Sequence, residues 1–189
     1  WQAIYRFTGS DVTLTTGFEK EFGSTRTTSL DKTFRFNNRI CDVASKFVMK
    51  NPAQVTKELR THKLVSRNAV SILRRGQAER ERDSELDEVC QAISDQVESK
   101  AKVYILGRFW FRLPDSSVVR GLERKFPKLN IERLTFHASK GKEADFVIVV
   151  GLDKGHYGFP STKETPPLLN ALLPPDEPYD FAEERRLFY

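Results

Sequence analysis

The segment best equipped for chemistry is Thr135-Phe-His-Ala-Ser-Lys-Gly-Lys-Glu-Ala-Asp145. It lies between two stretches that read as strands, 131–136 and 146–150. Small residues, a lysine and a glycine after a strand occupy the place where open α/β sheets bind ligands. Lys140 can meet a phosphate as a point charge, and Gly141 lets a backbone approach closely. His137 can hydrogen-bond across the loop, and Glu143 can accept from a ribose hydroxyl. A tight turn with a solvated lysine and a satisfied histidine accounts for the same spacing. The segment is not a P-loop, because no Gly-x-x-x-x-Gly-Lys run occurs in the chain.

Three further clusters mix aromatic and basic residues. In Thr33-Phe34-Arg35-Phe36 an arginine sits between two rings, its planar fork suited to a phosphate and Phe34 suited to a base. The alternative is a core Phe pair with a surface arginine. Trp1, Tyr5 and Phe7 interleave with Gln2 and Arg6, a composition that serves either core packing or stacking on single-stranded nucleic acid. Arg108 followed by Phe109-Trp-Phe-Arg112 carries the same two readings. No acidic pair, Cys-His dyad or Ser-His-Asp arrangement stands out. The residues alone point to a domain that faces phosphate and nucleic acid without a complete catalytic centre.

Length and charge fit that reading. A chain of 189 residues is expected to form one domain with a small appendage. Its net charge of +5 and pI near 9.2 suit nucleic-acid contact and equally suit a basic enzyme with no such role. Cys41 and Cys90 each fall among apolar helical neighbours and read as buried free thiols, favouring a reducing compartment. His62, His137 and His156 stand far apart with no cysteine beside them, so no structural zinc spacing exists and no metal site is expected. No signal peptide or membrane span is read. The aromatic start and the unfinished helical pattern of Glu183-Glu-Arg-Arg-Leu-Phe-Tyr189 are expected to be cut ends.

The positioning elements follow from periodicity. A helix capped by Ser10 and Asp11 is expected to run to Phe22, with Gly23 as its stop. A short strand is expected near 27–30 and a helix over 37–49, with Ile40, Val43, Ala44, Phe47 and Val48 on its apolar face. Residues 53–68 read as a basic loop and 69–73 as a strand. Leu86, Val89, Cys90, Ile93 and Val97 mark a long amphipathic helix within 77–99. A strand over 102–109 and a helix over 116–126, ended by Pro127, follow. The strand at 146–150 is apolar enough to be covered on both faces of a parallel sheet. A Pro-rich loop spans about 151–179, before a final helix. Strands alternating with helices make a doubly wound, mostly parallel α/β fold.

In their order along the chain these segments resemble the motifs of superfamily 1 DNA helicases of the UvrD/Rep type, in the second RecA-like domain. Gln2-Ala-Ile-Tyr-Arg-Phe-Thr-Gly9 is similar to the latter part of the third motif, GD-x-x-Q-x-I-Y-x-[FW]-x-G, with Thr8 where an arginine is usual. Thr33-Phe-Arg-Phe36 stands where the fourth motif reads N-Y-R-S. The fifth, T-x-H-x-x-K-G-x-E, is met in full by Thr135, His137, Lys140, Gly141 and Glu143. Glu183 to Tyr189 resembles the opening of the sixth. About 100 residues separate Arg35 from Thr135, which leaves no room for a large inserted domain there.

The resemblance implies a RecA-like P-loop NTPase-type three-layer fold without its own Walker A motif. Residues 1–23 would be the tail of the third motif with a linking helix, and 24–189 the motor domain proper. It implies ATP-dependent DNA unwinding and 3′-to-5′ translocation on single-stranded DNA by the intact protein, a DNA repair enzyme of the bacterial cytoplasm and nucleoid. The chain alone is expected to be inactive and monomeric. Gln2 would sense the γ-phosphate and Arg35 would act as an arginine finger. Phe34 would stack on adenine, with Glu143 on the ribose and Gly141 beside the nucleotide. Tyr5, Arg6, Phe7, Thr135, His137 and Lys140 would face DNA, with Arg108 added from its aromatic-basic cluster. ATP would be accompanied by Mg²⁺, whose ligands would belong to the first RecA-like domain of the same polypeptide. A non-catalytic docking domain, or a subunit of an ATP-dependent helicase-nuclease, are the alternatives.

Overall fold

The structure, a computed structural model, describes residues 4, 13–26, 28–73, 81–173 and 177–189. The chain divides into two units, Trp1–Ile72 with Lys163–Tyr189, and Leu73–Thr162.

In the first unit the expected opening helix is broken into α1 (Thr13–Thr16) and α2 (Phe18–Phe22). Gly17 separates them, and the threonine-rich first turn is a weak helix former. Gly23 closes α2 at a φ of 85°, a conformation that costs glycine little. Ser10 and Asp11 lie outside the described residues. The expected strand at 27–30 falls instead at β1 (Lys32–Thr33). Helix α3 (Asn38–Val48) follows, its first turn capped by the Asn37 side chain, which accepts from the Ile40 N–H at 3.1 Å. Of the expected face of α3, Val48 is buried and Ile40, Ala44 and Phe47 are half-buried; Cys41 joins them, and Val43 lies in solvent instead. Strand β2 (Arg60–Thr61) pairs in parallel with β1, Lys32 facing Arg60 and Thr33 facing Thr61. Residues 69–73, expected as a strand, carry no regular structure, and Val70, Ile72 and Leu73 are exposed. Branched residues favour strands only where a partner strand covers them.

The second unit is built on a parallel sheet. Helix α4 (Glu81–Ser94) buries Leu86, Cys90 and Ile93, with Val89 and Val97 packed beside them, the face read from the sequence. Strand β3 (Ala101–Gly107) is followed by α5 (Ser116–Lys125), which buries Val119 and Leu122 and ends at Phe126 before Pro127. Strand β4 (Leu129–Thr135) leads into the one-turn α6 (Phe136–Ser139), and then comes β5 (Phe146–Val149). The order is β4-β3-β5 and both pairings are parallel.

Ala101, Val103 and Ile105 alternate on one face of β3 and pack in one cluster with residues of α4 and α5. Tyr104 and Leu106, on the other face, are also buried. Full burial of an aliphatic side chain such as Ile105 contributes about 1.5–3 kcal/mol. Strand β5 corrects the expectation of cover on both faces: Val147 is 53% exposed. Beyond β5 the proline-rich stretch is not structureless, since Gly155 bridges Ser161 and α7 (Pro167–Asn170) forms in it.

Helix α7 returns the chain to the first unit, where α8 (Ala182–Phe188) ends it. The charged run Glu183-Glu-Arg-Arg186 is only partly solvated. Arg186 is 5% exposed and forms a two-pronged ion pair with Glu177, at 2.8 and 2.5 Å. Arg185 lies 4.5 Å over the Phe47 ring and donates to the Phe47 carbonyl at 3.0 Å, fastening α8 to α3. The whole is an α/β fold of parallel sheets flanked by helices, consistent with a RecA-like three-layer P-loop NTPase fold. No described helix is long and apolar enough to cross a membrane.

Both cysteines are buried free thiols, as read from the sequence. Burial, with a smaller contribution from the Asp87 charge, pushes Cys90 from its ordinary 9.0 up to about 11. The neutral thiol is the form the fold favours. Its contribution to stability is whole below pH 9 and is lost as pH climbs through about 11. Iodoacetamide at pH 8 should therefore leave Cys90 unmodified in the folded chain and label it fully in denaturant, read by mass spectrometry. Rapid labelling of the native protein would contradict the burial.

Candidate functional site

The Thr135–Asp145 segment is held at both ends. At its start, Thr135 closes β4 and caps α6, its Oγ1 accepting from the Ala138 N–H at 3.2 Å. Phe136 turns into the interior and stacks on Phe159, ring centroids 4.7 Å apart, both buried. At its end, Asp145 clamps the entry to β5. Its Oδ2 accepts from the Lys102 N–H at 2.8 Å, and its own N–H donates to the Lys102 carbonyl at 3.0 Å. Between these anchors, Gly141 adopts a φ of 82°, in the left-handed region that other L residues rarely enter. Lys140, Gly141 and Glu143 are exposed and His137 is half-buried. The exposed crest thus presents a cation, a close-approach backbone and a carboxylate on one fixed turn. Lys142 pairs with Glu132 at 3.0 Å on the same surface.

Arg108 joins this end of the sheet, because Gly107, the residue before it, faces Thr135 in the β3–β4 register. Its guanidinium lies 5.0 Å from the centre of the Phe109 ring.

Phe34 and Arg35 belong to the other unit. Phe34 is 61% exposed, so the alternative of a core Phe pair fails for it. Lys32 Nζ stands 5.2 Å over its ring and His62 packs against it at 5.1 Å. An exposed ring with a cation on it and an exposed arginine beside it, the backbone braced by the Arg35 N–H donating to Thr33 Oγ1 at 3.4 Å, fits a base and a phosphate. Gly141 and Glu143, expected to serve the same nucleotide, lie in the second unit. Gln2, Tyr5, Arg6 and Phe7 lie outside the described residues; Ile4, among them in sequence, is buried. Among the described residues no group of His, Cys, Asp and Glu is arranged to hold a metal ion.

Sequence reading missed Lys32 and His62 as the neighbours of Phe34. The first was two residues away and legible as a nearby cation; the second depends on the β1–β2 pairing, which no local signal announces. It also gave Asp145 no role, although a carboxylate just before an apolar strand can clamp a neighbouring strand's free N–H.

No family model matches the chain. It is 40% identical over all 189 residues to DNA helicase IV of Escherichia coli (strain K12). The chain is homologous to a DNA helicase. It spans 26% of that protein's length. The similarity runs along the whole chain, on an α/β fold with parallel sheets.

The cap on α6 gives a direct test of how firmly the turn is built. Thr135→Val keeps the shape and removes the acceptor for the Ala138 N–H, so urea unfolding should show a loss of about 1 kcal/mol. No loss would mean that the cap does not hold the turn.

Proposed function

We propose that this chain is the second motor domain of an ATP-dependent DNA helicase that translocates 3′-to-5′ along single-stranded DNA. What carries the reading is the Thr135–Glu143 turn: the complete helicase-like motif, anchored at the carboxyl end of β4, in a chain homologous throughout to a DNA helicase.

In this reading the nucleotide sits between this domain and another that supplies the Walker lysine and the ligands of Mg²⁺, an ion that offsets phosphate charge. Phe34 gives a face to the base, while Arg35 donates to phosphate oxygens and stabilises charge that grows during phosphoryl transfer. Glu143 accepts from a ribose hydroxyl and Gly141 admits the ligand close to the backbone. Gln2 senses the terminal phosphate. Tyr5, Arg6 and Phe7, with Thr135, His137, Lys140 and Arg108, meet the DNA strand, so that closure around ATP shifts the strand.

The test is a chimera in which this chain replaces the matching segment of E. coli DNA helicase IV. It should unwind DNA with ATP hydrolysis stimulated by single strands, and Arg35→Ala in it should lower turnover on the order of 10³-fold. A folded but inert chimera would overturn the reading, and unchanged turnover in the variant would remove Arg35 from its role. The chain by itself has no Gly-x-x-x-x-Gly-Lys run and should bind ATP weakly. Excess ATP is expected to leave its melting temperature almost unmoved, and a shift that requires micromolar affinity would count against the division of labour.

A further inference from the structure

A second aromatic cluster crowns the same edge of the sheet. The carboxyl ends of β3, β4 and β5 lie together, Gly107 facing Thr135 and Leu106 facing Val149. From β3 the chain turns at once into a 3-10 turn, Trp110–Arg112. From β5 it enters the loop closed by the Gly155–Ser161 bridge. The two loops meet through their rings. Phe109 and Phe111 lie nearly parallel, 13° apart with centroids at 5.4 Å, and Tyr157 meets them edge-on at 6.1 and 5.4 Å. Arg112 Nε donates to the Tyr157 carbonyl at 3.0 Å, locking one loop to the other. Gly158 holds the tyrosine's loop tight, since a Cβ there would fall 1.7 Å from the Asp153 carbonyl oxygen.

Rings so well ordered are usually core, yet these face water: Trp110 is 56% exposed, Phe111 64% and Tyr157 50%. Exposed aromatic surface held in fixed geometry marks a contact site. Arginines stand against the rings. Arg108 lies 5.0 Å over Phe109 and Arg133 lies 4.7 Å over Trp110, the latter anchored by Pro114 and Ser116. Neither 107–114 nor 154–161 contains an acidic residue; Asp115 and Asp153 stand just outside them. Flat faces rimmed by guanidinium groups match bases joined by phosphates.

We propose that Phe109, Trp110, Phe111 and Tyr157, rimmed by Arg108 and Arg112, form a platform on which bases of single-stranded nucleic acid stack. This rests on the single-stranded-DNA reading above and extends it to residues that the helicase motifs leave without a role. Stacking of this kind is sequence-tolerant, because every base offers a π face.

The experiment uses the full 189-residue chain and a fluorescein-labelled oligo(dT). Binding should quench tryptophan emission, and Trp110→Phe should abolish most of that quench. Phe111→Ala and Tyr157→Ala should each weaken binding, on the order of five- to a hundredfold by anisotropy, with melting temperatures near wild type. Phe111→Tyr should retain the affinity, and an abasic strand of equal length should bind weakly without quenching. Undiminished affinity in both alanine variants, no oligo(dT) binding by the wild type, or a quench that survives Trp110→Phe would each overturn the platform. So would concentration-dependent self-association that Phe111→Ala abolishes while oligo(dT) leaves Trp110 emission unchanged, which would assign the rings to protein contact. The helicase reading is judged separately: an inert chimera with a quenching chain sinks that reading alone, and an active chimera with unchanged alanine variants sinks only the platform.

Discussion

The second unit depends on the central position of β3. A strand hydrogen-bonded on both sides and buried on both faces has little room for polar side chains, and Val103, Tyr104, Ile105 and Leu106 fill it accordingly. Because both neighbours run parallel to it, each must return by a crossover. The crossovers put all three strands' carboxyl ends on one edge, and the residues that follow them are brought together without being close in sequence. Thr135 with its turn, Arg108 with its aromatic neighbours, and the loop that carries Tyr157 share an edge for this reason alone. Packing in the sheet fixes where they emerge, and the capping and clamping bonds of Thr135 and Asp145 fix how.

The first unit is secured differently. Its strands β1 and β2 are only two residues each, so backbone pairing contributes little order. Side chains take over. Thr61 Oγ1 donates to the Phe36 carbonyl at 2.7 Å, and Asn38 Oδ1 accepts from the Val65 N–H at 2.8 Å. The two-pronged pair of Arg186 with Glu177 sits where removing either partner would leave a charge in a poorly solvated place, a cost of about 3–5 kcal/mol. Asn51 reaches the same carboxylate at 3.5 Å. A buried ion pair of this kind selects one arrangement of α8 more than it adds net stability. Phe34 and Arg35 are then displayed from a short, side-chain-braced strand rather than from a deep sheet.

How much of this was legible in the sequence depended on whether a signal was local. Helical periodicity identified the buried face of α4, and Pro127 the end of α5, because both effects operate within a few residues. The turn at Thr135–Glu143 was legible as residue types in order, and the structure adds the cap, the left-handed Gly141 and the Lys102–Asp145 clamp. Errors came where partners far along the chain decide. Residues 69–73 have strand composition but no pairing, and β5 looks fully covered until Val147 is seen in solvent. The exposure of Val43 on α3 has the same origin: what packs on the helix comes from distant segments, Leu59 among them, whose carbonyl accepts from the Cys41 thiol at 3.4 Å. His62 beside Phe34 and Tyr157 beside Phe111 are juxtapositions that no spacing rule reaches.

The same separation of scales bears on how function is carried. The side chains that hold the second unit together, from Val103 and Ile105 to Val119 and Leu122, are buried and apolar. Those with chemistry to offer are exposed: Lys140 and Glu143 on the segment that leads from β4 to β5, and Trp110, Phe111 and Tyr157 on the carboxyl edge. Truncating an exposed ring removes few core contacts, so its effects on binding and on folding can be told apart. Phe136 is the exception that joins the two sets. It belongs to the motif by sequence, yet it is buried against Phe159, which follows Tyr157 by two residues. Through that pair, the start of the segment bearing Lys140 and the loop bearing Tyr157 are set in place by one apolar contact at the carboxyl edge of the sheet.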